Sequence, residues 1–216
     1  MRIKLFAKKK PGLDEAIEYL KTLTTDIEIY IGDVGDPFPV ISRDSKCDLM
    51  ISYISPWIIP KDVLELSTLY AINFHPGPPE YPGIGCTNFA LYDDAREFGV
   101  TCHIMNPKVD SGEIISVRRF PIYKNDNVKV LTDRCYVFIL EQFYEVINDF
   151  FEKKKLSFSD EEWKRRPFTR KELNQMSEIN FEMSEQEINR RIRATYFPNL
   201  PYPFIVLKGK KFVYKP

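Results

Sequence analysis

Apolar and polar positions divide the chain into short strand-like runs and amphipathic segments. Residues 1–7 are mostly apolar and read as a first strand. Pro11 and Gly12 mark a turn, and Leu13, Ile17 and Leu20 then recur at helical spacing up to residue 23. Residues 27–31 alternate as a strand does, and 32–39 form a loop rich in Gly, Asp and Pro. The apolar run at 48–54 suits a strand buried on both faces. Pro60 opens a short helix to residue 66, and 70–75 form the next strand. Residues 87–98 are predicted as a helix with Leu91, Ala95 and Phe98 on one face, Thr87 as its cap and Gly99 as its stop. Strands follow at 100–105 and 113–120. The longest amphipathic stretch, 127–155, places Val130, Val137, Leu140, Tyr144, Ile147 and Phe151 near helical spacing. Strands alternating with helices predict an α/β fold, a mainly parallel twisted sheet flanked by helices.

Beyond residue 155 the periodicity fades, so we divide the chain into a body, 1–155, and a carboxyl-terminal extension, 156–216. Residues 158–170 are charged, with isolated aromatics. Residues 184–193 begin with Ser184 and Glu187 at capping-box spacing and predict a short helix. Apolar runs at 204–207 and 211–214 flank Lys208-Gly209-Lys210 and predict a β-hairpin. A lone hairpin is marginal in water, so this one needs the body or a second subunit to pack on.

Charge changes the picture by exclusion. Lys and Arg total 31, as do Asp and Glu, so nothing favours nucleic acid as the main partner. The basic runs 8–10 and 164–166 read as solvated surface. No apolar segment approaches the ~20 residues needed to span a bilayer, and the first residues lack the apolar core of a signal peptide. Cys47, Cys86, Cys102 and Cys135 are widely spaced with no Cys-x-x-Cys pair, which argues against a zinc site. The expectation is a cytoplasmic protein with reduced thiols and no metal.

The candidate chemistry lies between residues 71 and 115, which hold both histidines and five of the nine glycines. Asn73 and His75 are two apart on a strand and so share a face, and Pro76 ends the ladder behind them. In an open parallel sheet, ligands bind beyond the carboxyl ends of strands. An amide donor beside an imidazole suits a carbonyl carbon becoming tetrahedral, since both can direct hydrogens at the oxyanion. Asp110, on a loop after the next strand, could hold that imidazole charged and help move a proton. Each residue alone has a plainer reading. His75-Pro76 could be a turn, and Asp110-Ser111-Gly112 could be another. His103 lies within a predicted strand and reads as structural, Asn106 as a strand-end turn, and Cys86 as a small packed hydrophobe.

The ordered pattern adds to these readings. Asn73-Phe74-His75-Pro76, Tyr81-Pro82-Gly83, Gly99-Val100-Thr101-Cys102-His103 and Val109-Asp110-Ser111-Gly112-Glu113-Ile114-Ile115 together resemble the formyltransferases that use N10-formyltetrahydrofolate. The resemblance covers at least residues 48–124. It implies a Rossmann-like formyltransferase fold and a catalytic trio of Asn73, His75 and Asp110. It also implies a pterin between Ile54, Ser55, Pro56 and Trp57 on one side and Asn106, Val109 and Gly112 on the other.

Three acceptors compete. Enzymes acting on methionyl-tRNA carry a further barrel domain and favour a basic surface. Enzymes acting on glycinamide ribonucleotide begin with a Gly-rich phosphate turn, where this chain has Ala7-Lys8-Lys9-Lys10-Pro11-Gly12. The tail, 165–173 with 193–198 and the hairpin, resembles the sugar N-formyltransferases. That implies a nucleotide-linked amino-dideoxy sugar, for example dTDP-4-amino-4,6-dideoxyglucose or its 3-amino isomer, destined for surface polysaccharide such as O-antigen. It further implies a homodimer built by the hairpin. Tyr81 and Gly83 are candidate acceptor contacts. Tyr196, Phe197 and Tyr202 either stack on the nucleobase or pack the hairpin. The rivals from other classes are a hydrolase that deformylates the folate and a non-catalytic folate- or nucleotide-binding module.

Overall fold

A computed structural model describes residues 1–42, 44–200 and 202–216. Nine strands and six helices follow one another among these residues: β1 (Ile3–Lys8), α1 (Leu13–Leu23), β2 (Ile27–Gly32), β3 (Cys47–Tyr53), α2 (Lys61–Leu64), β4 (Ser67–His75), α3 (Cys86–Tyr92), β5 (Glu97–Ile104), β6 (Ile114–Pro121), α4 (Val128–Lys153), α5 (Arg170–Ser177), β7 (Glu178–Ile179), α6 (Glu185–Thr195), β8 (Phe204–Leu207) and β9 (Lys210–Val213). Six strands form the main sheet in the order β2-β1-β3-β4-β5-β6. The first four are parallel, whereas β5 and β6 join antiparallel. The chain steps from β1 to β2 on one side and to β3 on the other, the reversal that opens a crevice at the strands' carboxyl ends.

The main core lies between the sheet and α1 and α4. Asn127 starts α4 by accepting the Val130 N–H at 3.0 Å, satisfying one of the unpaired donors of the first turn. The buried row of α4 is Leu131, Cys135, Ile139, Phe143, Ile147 and Phe150, a face rotated from the expected one. Val130 and Val137 are 42% and 57% exposed. The rotation follows from the aromatics: Phe143 meets Tyr53 and Phe74, and Phe150 meets Tyr70. Burying such a ring is worth about 1.5–3 kcal/mol, so these contacts decide the face.

The predicted helix at 87–98 is shorter. Its cap is Gly85 in the left-handed region, not Thr87, and it stops at Tyr92, where Asp93 and a left-handed Asp94 follow. Phe98 and Gly99 belong to β5, opposite Phe120 and Arg119. The sheet claims Phe98, whose side chain is wholly buried there.

The tail forms more structure than its composition suggests. Thr169 and Glu172 build a reciprocal capping box that starts α5, a helix missed in the charged stretch. Lys208 and Gly209 both take positive φ between β8 and β9, the turn that matches strand twist. The hairpin is extended by β7 into a three-stranded sheet. Helix α6 docks on α3: the Asn88 amide donates to Ala194 O at 2.8 Å, and Ala194 sits in the main core.

Candidate active site

Asn73 and His75 close β4, and the antiparallel register sets His103 of β5 directly opposite Asn73. The chain after β5 returns through Asp110, whose backbone is left-handed at φ 41, a conformation Asp tolerates better than most residues. Gly112 lets this loop close, since a Cβ there would lie 1.8 Å from Ile104 O. The result is a buried polar cluster. Asp110 Oδ2 lies 3.3 Å from His75 Nδ1, and Oδ1 lies 3.4 Å from His103 Nε2. The Gly83 N–H donates to Asp110 Oδ2 at 2.7 Å.

Hydrogen-bond partners fix much of the protonation pattern. His103 Nδ1 donates to Ile104 O at 2.8 Å, so in the neutral ring Nε2 carries the lone pair. Asn73 Nδ2 lies 3.0 Å from that nitrogen and donates to it. Nε2 therefore serves one neighbour at a time. Neutral, it accepts from Asn73; protonated, it would donate to Asp110. In the neutral state Asn73 keeps one N–H for a ligand. Burial opposes the Asp110 charge, but the two imidazoles and the Gly83 N–H outweigh it and hold the carboxyl well below the usual carboxylate range. His75 moves down from its ordinary value, because its burial outweighs the attraction of Asp110. The expected charging of this imidazole by Asp110 is thus opposed by desolvation. His75 Nε2 has no hydrogen-bond partner. It lies against Gly77, where a Cβ would approach to 2.7 Å. A buried, orphaned ring nitrogen is costly unless a ligand or a proton meets it.

The trio opens on a cleft of about 620 Å³, within the range of small-molecule sites. Ile54, Ser55, Pro56 and Trp57 line it, as do Asn106, Val109 and Asp110 and the apolar Ile59, Leu64 and Met105. Ile54 is also left-handed, at φ 52, an outlier for a β-branched residue. Gly112 does not line the cleft; its carbonyl accepts the Trp163 indole N–H at 2.8 Å. Gly83 lines it, and a Cβ there would meet Phe168 O at 2.4 Å. Tyr81 is half-buried beside Phe98 and Phe168 and does not line the cleft. Tyr196, Phe197 and Tyr202 lie elsewhere. Tyr196 packs on Tyr214, Phe197 on the main core, and the Tyr202 hydroxyl donates to Asn174.

Residues that periodicity did not single out complete the walls. Lys108 and Arg170 line the cleft with no anionic partner among the described residues. Pro167, Phe168 and Thr169 come from the tail. His103 carried a signal in the Gly-x-Thr-x-His block, but only the β4–β5 register puts it beside Asn73. Among the described residues no group of three or more His, Cys, Asp or Glu side chains is arranged to hold a metal ion, and no helix is long and apolar enough to cross a membrane. The four cysteines are free and buried.

Comparison with known proteins follows this geometry. A formyl transferase family model matches residues 42–147. The chain is similar to the methionyl-tRNA formyltransferase of Listeria monocytogenes, 28% identical over 168 residues, covering 77% of this chain and 53% of that protein. It is 36% identical over 93 residues to the methionyl-tRNA formyltransferase of a Hydrogenobaculum species, covering 43% of this chain and 31% of that one. The chain thus spans about half the length of the first of these curated relatives. Among solved structures, a sugar N-formyltransferase from Shewanella superposes with a TM-score of 0.79 at 17% identity, covering 100% of this chain and 97% of that one. A 4-N formyltransferase from Francisella tularensis gives 0.76 at 18%, covering 98% and 96%. An N-formyltransferase from Helicobacter canadensis, in complex with folinic acid and dTDP-3-aminofucose, gives 0.73 at 20%, covering 98% and 86%. At these identities the likeness establishes the fold.

Proposed function

We propose, from the match of residues 42–147 to the formyl transferase family, that the chain transfers a formyl group from N10-formyltetrahydrofolate to the amine of a nucleotide-linked amino-dideoxy sugar. The observation that carries the reading is the meeting of Asn73, His75 and Asp110 at one cleft. The cleft suits the co-substrate. Its apolar walls fit a flat heteroaromatic ring, and Asn73, His75 and Asp110 bring polar groups to it. N10-formyltetrahydrofolate supplies the formyl carbon. Asn73 offers its N–H where the formyl oxygen gains charge. The His75–Asp110 pair takes the proton that the attacking amine loses and returns it to the departing folate nitrogen.

Lys108 and Arg170 favour an anionic acceptor, since cations lining a cleft without partners attract phosphates. The named ligand of the Helicobacter neighbour, dTDP-3-aminofucose, is of this class. Transfer would occur in the cytoplasm, on a sugar bound for surface polysaccharide such as O-antigen. Two copies would pair through β7, β8 and β9, where Val206, Leu207, Phe212, Val213 and Tyr214 are exposed. Methionyl-tRNA is the second reading, favoured by the curated relatives. A panel assay decides. Formyl transfer to dTDP-linked 3- or 4-amino sugars is expected, with none to methionyl-tRNA or glycinamide ribonucleotide. Acceptor-independent formate release would mark a hydrolase, and tight ligand binding without turnover would mark a binding module. Lys108→Gln with Arg170→Gln should raise the acceptor KM tenfold or more with kcat nearly unchanged. Sedimentation velocity tests the dimer.

A further inference from the structure

The tail between α4 and α5 is tied to the loops that carry the cluster. The Ser159 N–H donates to Ile114 O at 2.9 Å, Lys164 N–H to Pro79 O at 3.0 Å and Phe168 N–H to Pro82 O at 2.9 Å, while Phe168 O accepts the Ile84 N–H at 3.0 Å. These bonds seat Trp163 nearly perpendicular to both imidazoles, with ring centroids 6.0 Å from His75 and 5.1 Å from His103. Its indole N–H is held by Gly112 O, two residues after Asp110. Trp163 does not itself line the cleft. It lies outside residues 42–147, the segment matched by the family.

We propose that Trp163 is a positioning residue for the proposed formyl-transfer site: it keeps water from His75 and His103 and fixes their ring planes, so that the trio is incomplete without the tail segment 157–169. The inference rests on the functional reading above for its consequence in rate, but not for its geometry. An aromatic ring packed beside an imidazole removes solvent without offering a hydrogen bond, and loss of solvent is what pushes His75 down. The other groups facing His75 are Asp110, His103 and the Tyr81 carbonyl. Cys86, from α3, lies close to the same point near Gly77, and burial pushes its thiol up to about 12, so it carries no charge there.

The chain has only two histidines, so imidazole NMR signals of the intact protein report on each directly. Trp163→Leu keeps an apolar side chain without the ring edge. Its expected effects are an upward move of the His75 titration, as water returns, and a tenfold or greater loss of kcat with a smaller change in KM. Trp163→Phe keeps a ring but loses the bond to Gly112 O. It should shift the His103 signal and cost severalfold in kcat, with the His75 titration near that of the wild type. A folded Trp163→Leu protein with the His75 titration, the His103 signal and kcat all unchanged overturns the proposal. Should the Leu variant not fold, the Phe variant decides, and unchanged signals from both histidines there overturn it. If the wild type transfers no formyl group to any acceptor, the functional reading fails, and the histidine titrations still judge Trp163.

Discussion

Two buried polar clusters sit on the same sheet, and they are built to opposite ends. At the β1–β2 side, Lys4 is wholly buried, yet its ammonium reaches Glu28 at 2.5 Å and Ser45 at 2.8 Å. The Tyr30 and Ser45 hydroxyls donate to the same carboxylate at 2.7 and 3.0 Å. None of these groups is left without a partner. At the cleft, by contrast, His75 Nε2 is orphaned and the backbone is left-handed at both Ile54 and Asp110. The first cluster satisfies itself and so specifies structure. The second leaves a donor or acceptor position open and holds strain beside it, the condition of a site waiting for a ligand. Buried polarity alone does not mark function. The Tyr53 hydroxyl and Gln142 Oε1 are unsatisfied away from the cleft, so it is the convergence of such a group with Asp110 and Asn73 at one cleft that sets this cluster apart.

The sharpest way to break this contrast is at Asp110. Asp110→Asn keeps the shape but removes the charge facing His75. Turnover should fall about 10²–10³-fold, the loss typical of one electrostatic partner in an active site. The melting temperature should fall too, because a buried carboxyl depressed on folding stabilises the fold at neutral pH. An unaltered rate in the formyl-transfer assay would remove the cleft from the comparison. Gly83→Ala comes next. Its φ of 88 and the close Phe168 backbone force a shift that moves the N–H off Asp110. The expected result is a tens-fold loss of kcat together with about 2 kcal/mol of stability in urea titration.

Lys4→Met should lower stability and spare the rate. Losing one partner of a fully buried pair costs about 3–5 kcal/mol. Glu28 keeps 33% of its side chain exposed, so about 2–3 kcal/mol is expected here. The smallest effect is in acid. Burial opposes the Glu28 charge, but bonds from Lys4, Tyr30 and Ser45 hold its carboxyl at about 2. A carboxyl depressed on folding stabilises fully above its ordinary value of about 4.3 and loses that contribution as pH falls toward the folded value. Urea midpoints should therefore drop between pH 5 and pH 3 in the wild type, and less in Lys4→Met.

The sequence speaks unevenly about these two regions. Asn73 and His75 are legible as a pair because strand alternation puts them on one face. Asp110 is legible only through the order of motifs, since Asp-Ser-Gly is also an ordinary turn. His103 reads as strand filler until an antiparallel register sets it opposite Asn73, and periodicity carries no register. The buried face of α4 is misread for a related reason. Two rows of apolar residues share that helix, and only the rings of Tyr53, Tyr70 and Phe74 across the interface choose between them. Trp163 is invisible in a charged, aperiodic stretch. What places it is a set of main-chain bonds to distant loops, and those leave no mark on residue type.

The bridge between Gly83 and Phe168 also constrains how such a protein can change. The same short ladder that orients the carboxylate through Gly83 carries Pro167, Phe168, Thr169 and Arg170 to the cleft wall. A chimera given another protein's carboxyl-terminal segment would exchange this wall of the cleft and re-aim the Asp110 carboxylate in one stroke. A changed wall at this end of the cleft would therefore have to arrive together with a matching proline-rich loop, inherited as a unit rather than residue by residue.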